Sequence, residues 1–422
     1  MGDLPYHTGV GQILPILDPM GESRLNALLV LGVILIVGVL GGHVAHRFGL
    51  PSVTGYLLIG IIMGPSVTGL ISKADLTALQ PVNDFALGLI GLSIGGELRW
   101  HFLRRKWRSF GLLFLGEGLT TILCVFVLTY MVSRNLPLAL ILGVLALATA
   151  PGSILDVINE NRTRGSFPRV VMSLVALDNL FCIVAFTAVT TVLNLYYFNV
   201  DQGRSLFESL SRELGLALLL AVVLGALGLT VVNRVNLLRQ RQVLIMAVMF
   251  LAVGLPRHLE VSYLLVTLVT GLIIVNLSRN FRKFYEILHT IDTPLLVVFL
   301  TLAGMKLQLA VLPGLGLLGL VYISARFLGK VGGSRLGAEL CALIPGRHSA
   351  IAPEQRKSVG LALTPQAGVA IGLSLLAEQT LPLPENLLVS LILGSVIFFE
   401  IVGPMLVLRA LDRTGSLVKH GG

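Results

Sequence analysis

The chain has 422 residues, of which 55% are hydrophobic and only 13% charged. Soluble domains carry about 25% charge, so this balance excludes a soluble globular protein. The net charge of +9 then reads as Lys and Arg enriched in cytoplasmic loops; a lipid bilayer is the implied partner, and nucleic acid is not.

Repeated apolar runs close to the length that spans a hydrocarbon core predict an all-α polytopic membrane protein with about 13 transmembrane helices. The expected spans are 25–43, 51–71, 82–98, 109–132, 136–158, 168–194, 213–233, 242–256, 260–277, 292–306, 311–330, 358–378 and 386–409. No basic stretch leads into a short apolar core at the start, so no cleaved signal peptide is expected. Lys and Arg gather in alternate loops, among them Arg99, Arg104, Arg105, Lys106 and Arg108, then Arg234, Arg239 and Arg241, and finally Arg409, Arg413 and Lys419. The positive-inside rule places the N-terminus outside and the C-terminus in the cytoplasm, in a cell membrane taken as a bacterial inner membrane. Cys124, Cys182 and Cys341 are scattered and imply neither a metal site nor a disulfide framework.

Two spans carry helix breakers at membrane depth. The fifth holds Thr149, Ala150, Pro151, Gly152 and Ser153, and the twelfth holds Thr364, Pro365, Gln366 and Gly368. Such breaks survive only where they are buried in protein or line a cavity. They lie seven spans apart, and an odd offset inverts orientation. This predicts two inverted six-helix repeats, 25–194 and 242–409, joined by a linker helix at 213–233 and followed by a short cytoplasmic tail, 410–422, all within one transmembrane unit. Paired interrupted helices in inverted halves point to the substrate site of a transporter.

Intramembrane charges face the bundle interior, pair, and mark ion or proton paths. Four lie deepest: Glu117, Asp178, Arg326 and Lys330, with Glu400 well inside the last span. Asp178 is expected to pair with Lys330 beside the crossing of the broken helices. Glu117 and Glu400 read as buried glutamates that are protonated or bonded to backbone, and Arg326, one turn before Lys330, as a partner for one of them. Thr149, Ser153, Thr364 and Gln366 are expected to satisfy backbone groups freed by the breaks. Carbonyls left over would share in binding a hard cation. "GLGLLG" at Gly314–Gly319 opens a membrane helix and follows no strand, so it is no dinucleotide site. The sequence shows no nucleophile motif, no P-loop and no His–Cys cluster, so neither a cofactor nor an enzymatic activity is expected.

Six strings, in order, resemble the monovalent cation/proton antiporter superfamily: "FGLPSVTGYLLIGIIMGP" from Phe48, "ALATAPGSILDVI" from Ala146, "FPRVVMSLVALDNL" from Phe167, "RFLGKVGG" from Arg326, "LALTPQAGVAIGLSLL" from Leu361 and "FEIVGPMLVLRAL" from Phe399. The resemblance implies a homodimer with a dimerisation domain and a moving core domain. It also implies an elevator-like cycle in which Na+, or K+, and H+ compete for one acidic site. In this chain Asp178 is expected to hold the transported ion, with Asn179, Lys330, Thr149 and Ser153 as the other ion-binding and proton-coupling residues. The chain departs from the pattern at one position. The electrogenic branch has Asp-Asp in the sixth helix and the electroneutral branch Asn-Asp, whereas here Asp178 precedes Asn179. The lysine-pairing acid is present and the second acid is an amide. Three explanations stay open: Asp178 does both jobs, the ion or stoichiometry differs, or the protein is an inactivated variant. With one carboxylate and a permanently charged lysine, exchange would be one for one and electroneutral. The alternatives to an antiporter are a non-transporting sensor or regulatory subunit and a same-fold transporter of another solute.

Overall fold

The structure, a computed structural model, describes residues 26–48, 51–98, 100, 104, 107–161, 163–197, 206–235, 237–278, 280–307, 312–342, 351–366, 368–383 and 387–417. All regular structure among these is helical. The described residues open with α1 (Ala27–Arg47), α2 (Ser52–Met63), the short α3 (Lys73–Ala78) and α4 (Gln80–Glu97). It continues through α5 (Trp107–Ser133), the two half-helices α6 (Leu136–Leu145) and α7 (Pro151–Glu160), and α8 (Phe167–Val192). The remainder is α9 (Leu206–Arg234), α10 (Leu238–His258), α11 (Tyr263–Leu277), α12 (Phe281–Met305), α13 (Leu312–Ala342), the short α14 (Val359–Ala362), α15 (Gly368–Thr380) and α16 (Leu387–Arg413).

Local chemistry sets many of the starts. The side chains of Asn26, Asn135 and Ser262 accept the backbone N–H groups of Leu28, Leu138 and Leu265 at the heads of α1, α6 and α11, which satisfies donors that a helix leaves free. Arg134 takes a left-handed conformation, φ 51°, and turns the chain sharply from α5 into α6. Apolar side chains such as Ile36, Leu219 and Val223 are more than half exposed; on a bundle of this composition that surface faces acyl chains.

The helices pack in two groups. One joins α1, α2, α4, α9, α10, α11 and α12; the other gathers α5, α6, α8, α13, α14, α15 and α16 around the two breaks. Thinner contacts run between them, among them α4 with α8 and α15, and α2 with α16.

Several spans differ in extent from expectation. The second helix stops at Met63 and gives way to turns, because Gly64 and Pro65 follow. The tenth begins at Phe281, since its polar first half still forms helix. The eleventh, expected to end at Lys330, runs on to Ala342. Glycine explains the extension. Gly329, Gly333 and Gly337 recur every four residues and lie against α5. A Cβ at Gly333 would stand 2.7 Å from the Gly116 carbonyl oxygen, and one at Gly329 2.6 Å from Thr121 Cα. Small residues at this spacing let two membrane helices approach backbone to backbone, and the contact places Lys330 deep in the protein instead of at a helix end.

Candidate functional site

The first break lies between Leu145 and Pro151, the second between Ala362 and Gly368. Proline lacks a backbone donor and fixes φ, so each break frees carbonyls that no helix satisfies. The two segments touch directly, the Ala150 N–H donating to the Pro365 carbonyl at 3.0 Å. Gly403 of α16 backs this crossing closely, since a Cβ there would meet the Pro365 ring at 2.9 Å.

Three side chains take up the carbonyls of the first segment. Arg326, 0% exposed, donates to Ala146 at 3.0 Å and Ala148 at 2.8 Å, and across the crossing to Thr364 at 2.6 Å and Pro365 at 3.4 Å. Its guanidinium lies 4.4 Å from the Phe399 ring centroid, a cation–π distance. Lys330 donates to Leu147 at 2.8 Å. Asn179 closes the set: its Nδ2 donates to the Thr149 carbonyl at 2.8 Å while its Oδ1 accepts the Thr149 N–H at 3.2 Å. Gln366 donates to Leu145 at 3.1 Å and to the Tyr322 hydroxyl at 2.9 Å, and accepts from Ser395 at 3.2 Å. Carbonyl oxygens at helix C-terminal ends carry partial negative charge. Arg326, where the ends of both segments converge, offsets it.

Asp178 and Lys330 meet as expected, Nζ to Oδ2 at 2.8 Å, both 0% exposed. The Thr149 hydroxyl also reaches Asp178 Oδ2 at 2.9 Å and stands 3.0 Å from the ammonium. Lys330 makes a second ion pair, with Glu117 Oε1 at 2.7 Å. Glu117 sits mid-way along a π-helical turn, Leu115–Leu119, inside α5. One oxygen of each acid, Asp178 Oδ1 and Glu117 Oε2, is buried without a hydrogen-bond partner.

Some of these contacts differ in detail from the sequence reading. Glu117, read as protonated or bonded to backbone, is held by Lys330 and, at 3.2 Å, by the Thr121 hydroxyl. Arg326 serves neither glutamate, since carbonyls take its donors. Ser153 bonds no backbone group and donates to the Glu400 carboxylate, 2.8 Å from both oxygens, at the first turn of α7; a carboxylate there complements the positive end of the half-helix. The carbonyls from Ala146 to Thr149 all have side-chain donors, so none of these four is left over for a cation in this conformation. Thr364 bonds within its own segment, to Leu361 at 2.8 Å. Tyr322, Ser395 and Phe399 escaped the sequence reading; the signal for Tyr322 was its place four residues before Arg326 and eight before Lys330, on one face of α13.

A cavity of about 410 Å³ opens at the far end of α8, lined there by Phe186, Thr187, Thr190 and Asn194. Its other walls include Glu213 of α9, Arg257 of α10, Tyr263 of α11 and Gln379 of α15, so it lies between the two helix groups. Arg257 is paired with Asp84 of α4 on its wall. Phe186 is eight residues from Asp178, about 12 Å along the helix axis.

A buried acid–amine centre held where two interrupted helices cross, in an all-helical polytopic bundle, defines a membrane-protein class with a charged site at bilayer depth. Residues 31–411 match the family model described as sodium/hydrogen exchanger, transmembrane, and the chain belongs to that family. The fold is similar to that of the sodium proton antiporter MjNhaP1 from Methanocaldococcus jannaschii, solved at pH 8. The TM-score is 0.70 at 18% identity, over 91% of this chain and 98% of that one. A three-dimensional electron-microscopy map of the same antiporter gives a TM-score of 0.66 at 17% identity, over 94% and 99% of the two chains. In sequence, 77 residues are 35% identical to the probable Na(+)/H(+) antiporter GerT of Bacillus cereus; the match covers 18% of this chain and only 20% of that protein.

Proposed function

We propose that the protein is a secondary antiporter that exchanges a monovalent cation, sodium first and potassium second, for protons, with Asp178 as the coupling acid. The observation that carries this reading is the fully buried Asp178–Lys330 pair at the helix crossing. A charge at this depth costs roughly 2.5–3.5 kcal/mol on an insertion scale, and a fixed packing contact does not require one. Family membership and the likeness to MjNhaP1 support the same reading.

In the proposed cycle the site carries either a proton or a cation that has shed its water, the cation bound at Asp178, and the proton that returns on the other side releases it. Thr149 shares its hydroxyl between Asp178 and Lys330 and is the neutral ligand of the site. Asn179 holds the Thr149 backbone and so positions that hydroxyl. Ser153 with Glu400, and the crossing residues Ala150, Pro151, Gly152, Thr364, Pro365, Gln366 and Gly368, form the scaffold. Ions enter from one side through the cavity that reaches Phe186. The group around α5, α6, α8 and α13 moves as a body against the other group in an elevator-like step, in a homodimer whose inverted repeats place the two half-helix breaks opposite each other. The N-terminus lies outside and the C-terminus in the cytoplasm of a bacterial inner membrane. Exchange is one cation for one proton. Solid-supported membrane recordings of the reconstituted protein test this: sodium jumps are expected to move protons without net current, and a sustained transport current would refute the stoichiometry.

A further inference from the structure

A second buried acid stands beside the Asp178–Lys330 pair. Glu117 and Asp178 lie on different helices, 61 positions apart in the chain, yet each places one oxygen on the same ammonium, at 2.7 and 2.8 Å. Glu117 is 1% exposed and Asp178 0%. The second oxygen of each has no partner, although a buried carboxylate oxygen without a hydrogen bond costs free energy. The π-helical turn is a further sign. Such turns are rare, insert one residue into a helix, and often mark functional sites; here the turn is centred on Glu117, between Gly116 and Gly118.

Charge counting gives these oxygens a use. The ionisable groups around this centre are Asp178 and the Cys182 thiol from α8, and Tyr322, Arg326 and Lys330 from α13; α6 contributes none. Arg326 is committed to carbonyl ends. An ion pair of Asp178 with Lys330 alone is neutral and has no call for a further cation. Adding an ionised Glu117 leaves one net negative charge in a dry site, which a single proton or a single monovalent cation neutralises.

We propose that Glu117 is the second coupling carboxylate of the site: it holds the proton that the transported cation displaces, and the cation binds between Asp178 Oδ1 and Glu117 Oε2. As the cation enters, the O–H bond of Glu117 breaks, the proton leaves to the water on the open side, and Lys330 stays an ammonium throughout. This rests on the antiport reading above and adds to it which acid carries the proton.

Calorimetric titration of the purified protein with sodium chloride, in two buffers of different ionisation enthalpy, counts protons released per sodium bound. The wild type is expected to release protons on binding. E117Q is expected to bind sodium at least about tenfold more weakly, as for loss of a charge-assisted contact, and to lose the release; E117D is expected to retain both. E117Q that binds sodium with wild-type affinity, or with the wild-type proton count, overturns the proposal. Should E117Q fail to purify as a monodisperse protein, E117D decides: a shifted pH midpoint of proton release supports the assignment, and an unchanged midpoint overturns it. A wild type that binds no alkali cation at all contradicts the antiport reading itself, an outcome distinct from either variant result.

Discussion

Asn179 and Thr149 are joined twice, the amide donating to the Thr149 carbonyl at 2.8 Å and accepting its N–H at 3.2 Å. The pair explains why position 179 is an amide. The interrupted segment presents one donor and one acceptor at Thr149, and only a side chain with both can meet them. An ionised aspartate accepts and cannot donate, so Asn179→Asp leaves the Thr149 carbonyl unpartnered. We expect this variant to lose about 1–3 kcal/mol of stability, more in alkaline than in acidic buffer, because only the protonated acid can imitate the amide. Thermal unfolding midpoints across pH check this; a midpoint equal to wild type at alkaline pH contradicts it.

Arg326 ties both breaks together through Ala146, Ala148, Thr364 and Pro365. Lysine keeps the charge but lacks the planar fork that reaches several acceptors at once. Arg326→Lys is therefore expected to destabilise less than Arg326→Gln, the latter by about 1–3 kcal/mol for each buried carbonyl left without a donor. Unfolding midpoints that rank the two variants in the opposite order would refute the assignment.

Removing Lys330 leaves two carboxylates facing each other with no cation between them. Close acids resist joint ionisation, so Lys330→Gln must keep a proton at the site to stay folded. Its stability is expected to fall as pH rises, more steeply than that of the wild type. Parallel melting curves over a pH series would contradict the shared ammonium.

The approach of α5 to α13 holds Glu117 on Lys330. At Gly333 a Cβ would meet Gly116 oxygen at 2.7 Å and Thr120 Cβ at 2.8 Å. Gly333→Val is expected to push the helices apart, at a cost of about 1–3 kcal/mol for overpacking, and to abolish exchange while the protein still inserts. Gly332, which has open space around its Cβ position, is the control, and Gly332→Ala is expected to transport normally. Proteoliposome assays of the two variants separate packing from general intolerance of substitution.

Much of this site was legible in the sequence for one physical reason: charge and proline are costly in an apolar run. Asp178, Lys330, Pro151 and Pro365 stood out on that basis, and the structure brings them together. What stayed hidden depended on three-dimensional packing. Glu117 looked like an isolated buried acid because its route to Lys330 runs through a π-helical turn and a glycine contact. Arg326 was assigned to a carboxylate because sequences display charged side chains and do not display freed carbonyls. The span expected at 311–330 falls short of the observed helix end at Ala342 because the pattern that marks the extension, Gly333 and Gly337 on a face pressed against its neighbour, shows only in the packing.

The central claim is that Asp178 couples cation movement to proton movement. The most direct test follows a pH-sensitive dye in proteoliposomes with a preset proton gradient. Sodium addition is expected to dissipate the gradient for the wild type and to leave it intact for Asp178→Asn. A wild type with no dye response to any alkali cation, or an Asp178→Asn variant that responds like the wild type, would contradict the account.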